Sequence, residues 1–202
     1  MQKSIILNKF FLGLFLFLSL FSFSGCSIFP HQNDTKTNYF DIGFPKKNKA
    51  NQLNTPIIIE RVTTIGPYYE KMVFRTSTNH LEYDEFNRWI SPPSKMLKRY
   101  FILALENKNI REIDTNSKVL KLNIEILRLE ADLNQKLITL LIRITIHQDN
   151  IEYSEIIDIQ ESMPEVSANQ FAEKLKIAID NAINQIISAI KQVKANSKPI
   201  LK

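Results

Sequence analysis

One cysteine in 202 residues, Cys26, leaves no disulfide to staple a domain and no cysteine cluster to hold zinc. Four glycines, Gly13, Gly25, Gly43 and Gly66, are too scattered for a phosphate loop or a Gly-x-Ser-x-Gly nucleophile elbow. The three histidines, His31, His80 and His147, stand far apart, without metal-ligand spacing. No apolar run reaches the roughly 20 residues of a membrane-crossing helix. An enzyme reading therefore has no residue to point to, no cofactor is expected, and no internal repeat suggests a solenoid.

What is present begins at the N-terminus. Lys3 and Lys9 precede any acid, and Phe10 to Phe23 forms an almost purely apolar stretch of 14 residues. A charged start, an apolar middle and then the small residues Ser24 and Gly25 are the layout of a secretory signal. The stretch "FSGC" resembles the lipobox of bacterial lipoproteins, with Phe23 where leucine is usual. That resemblance implies that residues 1–25 are removed and that Cys26 is acylated and holds the chain to a membrane. The alternative, in which residues 5–24 stay as a signal anchor, leaves an exported chain with one idle thiol. Ser27 rather than aspartate after the cysteine favours the periplasmic face of the outer membrane over the inner membrane, within the same resemblance.

Removing Lys3 and Lys9 from the 26 basic residues leaves 24 against 21 acidic, a net charge of +3. With no arginine-rich helix, that is poor material for nucleic-acid binding. The cluster "PKKNK", Pro45 to Lys49, reads as a solvated linker or, failing that, a contact to anionic headgroups. The expected organisation is a signal over 1–25, a lipidated tether over 26–37, a single domain over 38–195 and a tail over 196–202.

Within the domain, "TNYFDIGFP" (Thr37 to Pro45) and "PIIIERVTTIGP" (Pro56 to Pro67) predict two strands, and the run Ile57–Ile59 suggests burial on both faces. "MVFRTSTNHLEYDEF" predicts a hairpin about a turn at Thr76 to Asn79. A helix follows with Ser91 as cap, Pro92 at its first position and a stop at Asn107–Asn109. Its buried face is Met96, Leu97, Tyr100, Phe101, Ala104 and Leu105.

"KVLKLNIEILRLE" alternates Leu120, Leu122, Ile124 and Ile126 with polar residues, and its parity slips after Ile126, which predicts a bulge. "KLITLLIRITIHQ" and "IEYSEIIDIQE" complete an antiparallel meander turned by "QDN" at 148–150. A long amphipathic helix, opened by the capping pair Ser167 and Gln170, ends the domain. The arrangement that buries every apolar face is an α+β fold: a two-layer α/β sandwich, its mixed sheet covered on one face by two helices.

Two features bear on function. Glu82, Asp84 and Glu85 are close in sequence but imply no cleft, so they read as a solvated strand edge or loop. Trp89, the one tryptophan, follows Arg88 and precedes the helix start. It is either a core anchor for that start or an aromatic contact to a ligand or partner.

The order "NYFDI", "IIIERV", "GPYYEKMVFR", "LEYDEFNRW" and "WISPPSKMLKRY", after the lipobox, resembles the auxiliary lipoprotein component of ABC-type transporters, the group that includes PqiC. The resemblance spans Cys26 to about Val193, with Ser91 where a small apolar residue is common. It implies a non-catalytic periplasmic lipoprotein serving an MCE-domain transport system that moves lipids or other hydrophobic molecules between the two membranes. Tyr68, Tyr69, Arg88 and Trp89 are the candidate partner- or ligand-binding residues, and a ring-forming homo-oligomer would suit a symmetric MCE partner. The competing readings are a direct lipid carrier and a Tol-like envelope scaffold.

Overall fold

Residues 36–46, 56–105 and 119–196 are described by the computed structural model of the protein. The signal segment, Cys26, the tether as far as Thr35, Lys47 to Lys49 of the basic cluster, the expected helix stop at Asn107–Asn109 and the tail beyond Asn196 lie outside the described residues. The elements run β1 (Asn38–Phe40), β2 (Ile57–Thr64), β3 (Lys71–Ser77), β4 (His80–Trp89) and α1 (Pro93–Leu105), then β5 (Leu120–Asp132), β6 (Leu137–Gln148), β7 (Ile151–Ser162) and α2 (Ala168–Asn196).

The strict alternation in β5 and β6 builds the centre of the sheet. Leu122, Ile124 and Ile126 of β5 lie opposite Ile146, Ile144 and Ile142 of β6, and all six are buried. Burial of each such side chain contributes about 1.5–3 kcal/mol. The expected meander is present: β5, β6 and β7 pair antiparallel in sequence order, with Gln148 opposite Ile151 across a two-residue turn. Asp149 adopts a positive φ of 54° there, as a tight hairpin turn demands.

On its other side β5 takes two partners in succession. β2 runs parallel along Leu120–Ile126 and β3 runs parallel at Ala131–Asp132. β4 pairs antiparallel with β3, and β1 pairs parallel with β4, giving the order β1-β4-β3-β5-β6-β7 with β2 beside β5. The mixed seven-stranded sheet is not closed into a barrel.

Both helices pack on the same face. α1 buries Met96, Leu97, Tyr100, Phe101, Ala104 and Leu105, the face expected from spacing. α2 buries Phe171, Leu175, Ala178, Ile179, Ala182, Ile183, Ile186 and Ile190. The Tyr100 hydroxyl donates to Asp180 at 3.2 Å, joining the two helices. The capping pair forms as expected: the Gln170 N–H donates to Ser167 Oγ at 3.3 Å.

Three local expectations change. Pro93, not Pro92, is the first residue of α1, and the Pro92 carbonyl accepts the Met96 N–H at 3.2 Å. Two prolines in a row fit because neither position needs a donor. Ile57 and Ile59 are buried but Ile58 is only half-buried, because helices cover one face of the sheet alone. The first strand contracts to Asn38–Phe40, with Gly43 at a φ of 69° in the turn that follows.

Candidate functional site

The bulge expected after Ile126 falls between Ile126 and Arg128. Its effect is a change of face. Leu129 and Ala131 pair with Leu140 and Ile138 and so join the helix-covered side, which turns Arg128, Glu130 and Asp132 onto the helix-free side. Glu130 is nevertheless wholly buried.

Its carboxylate accepts four hydrogen bonds. Oε1 accepts from Arg75 Nε and Arg128 Nε, each at 2.5 Å. Oε2 accepts from Arg75 Nη2 at 3.1 Å and from the Tyr68 hydroxyl at 3.3 Å. Four acceptor sites are about all that a carboxylate has. Glu130 is therefore a tie between β3, β5 and the loop that carries Tyr68, with no lone pair left to take a proton from a substrate. Burial, reinforced by the Glu130 charge, pushes the Tyr68 phenol up to about 12, and Glu130 holds the Arg75 guanidinium above its ordinary value. Gly66 shapes this loop: its φ is 107°, and a Cβ there would lie 3.2 Å from the Tyr68 ring. Arg75, Arg128, Asp132, Asn134 and Gln135 line a polar cleft of about 520 Å³ beside the cluster.

The second constellation is the corner formed by β1, β4 and the β2–β3 loop. Tyr39, paired with Arg88 across β1 and β4, is 62% exposed. Tyr69 is 69% exposed, and Ile90, whose N–H donates to the Phe40 carbonyl, is 58% exposed. Tyr83 lies under the Lys71 ammonium, 5.8 Å from its ring centre. Asp84 accepts the N–H groups of Phe86 and Asn87, both at 2.8 Å, and this local turn interrupts the β3–β4 ladder and leaves Phe86 exposed. Five large apolar side chains are thus exposed along β1, β4 and the segments that adjoin them.

The four sequence-predicted residues divide between these places. Tyr69 stands in solvent. Arg88 is half-buried on the helix-free side, between Tyr39 and Lys71 on the neighbouring strands, and its buried Nε has no hydrogen-bond partner among the described residues. Tyr68 and Trp89 face inward, so neither offers a contact surface. Trp89 is 1% exposed, with its ring edge-on to Phe171 of α2 at 5.3 Å, and its backbone N–H donates to the Glu70 carbonyl at 2.6 Å. Trp89 therefore lies in the core, where its ring meets Phe171 of α2.

Sequence reasoning missed Tyr39, Tyr83, Phe86 and Ile90 as surface residues and Glu130 as a buried one. The odd parity of "ILRLEAD" was the available signal for Glu130. The acids Glu82, Asp84 and Glu85 lie within β4 at the sheet margin. Among the described residues, no group of three or more His, Cys, Asp or Glu converges as a metal site, and no helix is long and apolar enough to cross a membrane.

Two crystal structures share the fold. One, of an uncharacterized protein, superposes with a TM-score of 0.63 at 11% identity, covering 77% of this chain and 99% of its own. The other, of protein XCC0632 from Xanthomonas campestris, of family DUF330, gives a TM-score of 0.60 at 12% identity, covering 81% of this chain and all of its own. No curated protein matches the chain. The family described as ABC-type transport auxiliary lipoprotein component matches residues 54–187, which takes in everything from β2 to the middle of α2, and the chain belongs to that family.

Proposed function

We propose that this protein is a non-catalytic lipoprotein of the cell envelope, anchored through a lipid on Cys26 to the periplasmic face of the outer membrane. There it docks an MCE-domain partner of an ABC transport system that moves lipids or other hydrophobic molecules between the membranes. Membership of the transport-auxiliary family supports a transporter partner. The observation that supports the docking site is the exposed corner of Tyr39, Tyr69, Tyr83, Phe86 and Ile90, beside Lys71 and Arg88. Aromatic side chains with few rotatable bonds, bordered by cations, are the usual material of interface hot spots.

Anchoring concentrates the domain where a periplasm-spanning partner must arrive. Such anchoring raises the effective concentration of the domain for that partner. A direct lipid-carrying role has less support. Among the described residues, the layer between sheet and helices is occupied by the buried side chains of Trp89, Tyr100, Phe101, Phe171 and the isoleucines of β5 and β6.

The test is in-cell crosslinking of the full-length protein with a photoreactive residue at position 69, with Cys26→Ala as the mislocalised control. Capture of an MCE-domain protein that disappears in the control is the expected result. Capture of Tol or peptidoglycan-linked proteins, without an MCE protein, overturns the transport reading in favour of a tethered scaffold.

A further inference from the structure

The sheet has two ends, and they differ. At one end, β1 covers only three residues of β4. At the other, β7 presents twelve residues, Ile151–Ser162, and no strand among the described residues pairs with its outer side. In an antiparallel ladder about half of the backbone N–H and C=O groups of an edge strand point away from its partner. They form a ready template for one more strand.

Charge selects what that strand must be. From Ile144 to Glu173 the chain has seven acidic residues and no lysine or arginine. Four of the acids, Glu152, Glu155, Asp158 and Glu161, lie on β7 itself. Alternation puts Glu152 and Asp158 on the helix-free face and Glu155 and Glu161 toward the helix side, so carboxylates flank the open edge above and below. Their described partners are neutral donors and one histidine. Glu155 accepts from Tyr153, Glu161 from Asn181, and Glu152 lies 3.6 Å from His147.

Charge on an edge discourages pairing between two identical acidic edges and leaves pairing with a basic strand open. Beside the carboxylates, Ile156 is 55% exposed between Ser154 and Asp158 on the helix-free face. A strand added at such an edge pairs through the backbone and is selected through its side chains.

We infer that the outer edge of β7 is a second docking surface, which receives an extended, lysine- or arginine-bearing segment of a partner protein as an eighth strand. It lies at the opposite end of the sheet from the Tyr69 corner and does not depend on that corner's role.

The experiment uses the full-length protein in detergent and a fluorescent twelve-residue peptide of alternating threonine and lysine. Its controls are the same peptide with glutamate for lysine and one with proline at alternate positions. Binding by anisotropy, together with hydrogen–deuterium exchange, should show slowed exchange in 151–162, affinity that falls as salt rises, and no binding of either control. The double variant Glu152→Lys/Asp158→Lys, altered only at exposed positions, should lose at least tenfold in affinity while retaining its thermal midpoint. Protection elsewhere, equal binding of the glutamate peptide, or unchanged binding by the double variant overturns the inference. Concentration-dependent protection of 151–162 in the protein alone also overturns it, since the occupant of the edge would then be a second copy of this chain.

Discussion

Arg75 on β3 and Glu130 on β5, 55 residues apart in sequence, form a two-pronged ion pair of 2.5 and 3.1 Å around a carboxylate with no exposure to solvent. The contact sits where β3 touches β5 through only two residue pairs, Phe74 with Ala131 and Arg75 with Asp132. A short ladder is thereby joined by a side-chain clamp, which holds the β3–β4 hairpin and its exposed aromatic corner to the rest of the sheet.

The two halves of that clamp are not equivalent. Arg75→Met leaves a buried carboxylate short of its main partner, a loss of about 3–5 kcal/mol. Glu130→Met removes the buried charge and leaves two partly exposed arginines that can turn to water, so its effect should be smaller, about 2 kcal/mol. Urea unfolding of both variants measures the order. If Glu130→Met proves the more damaging, the stability of the cluster does not come from satisfying a buried carboxylate.

Tyr68 gives the same cluster an alkaline limit. Its phenol is raised to about 12 in the folded chain, by burial first and Glu130 second, against about 10 when unfolded. A raised folded value means that the protonated form is favoured by folding. The contribution, on the order of 2 kcal/mol, is complete below pH 10 and disappears as the pH rises from 10 to 12. Tyr100 beside Asp180 and Tyr153 beside Glu155 are raised as well, so the useful quantity is a difference. Unfolding free energies of the wild type and Tyr68→Phe should converge across that window, with one tyrosine fewer ionising late at 295 nm. Parallel curves would mean that Tyr68 ionises in the folded chain as freely as in the unfolded one.

The sheet and helices were legible wherever side chains repeat with a period. Leu120 to Ile126, Ile138 to Ile146 and the α2 stripe carry their own evidence of which face is inside, and the slip after Ile126 announced the bulge. Tyr68 and Tyr69 were not separable, because "GPYYE" is a loop with no period, and adjacent residues there meet opposite environments. Glu130 was hidden for a different reason. Its burial depends on a bulge that reverses its face and on Arg75 and Tyr68 arriving from distant parts of the chain. The burial of Trp89 likewise rests on Phe171, which no local pattern links to it.

Ser167 tests the start of the longest element. Its hydroxyl accepts the Gln170 N–H and its carbonyl accepts the Phe171 N–H at 2.9 Å, so it caps α2 at the turn that delivers Phe171 to the core. Ser167→Ala should lower stability by about 1 kcal/mol and Ser167→Asp should restore most of it, because aspartate caps as well and its charge favours a helix N-terminus. Chemical denaturation reads both. Equal loss in the two variants would show that the hydroxyl contributes through packing rather than through capping.

Tyr69 and Trp89 separate docking from folding. Trp89→Ala opens a cavity against Phe171 and should cost about 3–5 kcal/mol, while Tyr69→Ala, at an exposed position, should change stability by no more than about 0.5 kcal/mol. If the β1–β4 corner receives the transporter partner, Tyr69→Ala reduces partner capture at unchanged protein level, and Trp89→Ala reduces it only in proportion to the protein that remains folded. Quantitative crosslinking normalised to the folded, membrane-associated protein distinguishes the two. Undiminished capture by Tyr69→Ala, and by the further variant Tyr39→Ala/Tyr69→Ala, would remove this corner from the interface. A selective loss would give the exposed tyrosines, rather than the buried tryptophan beside them, the role of contact.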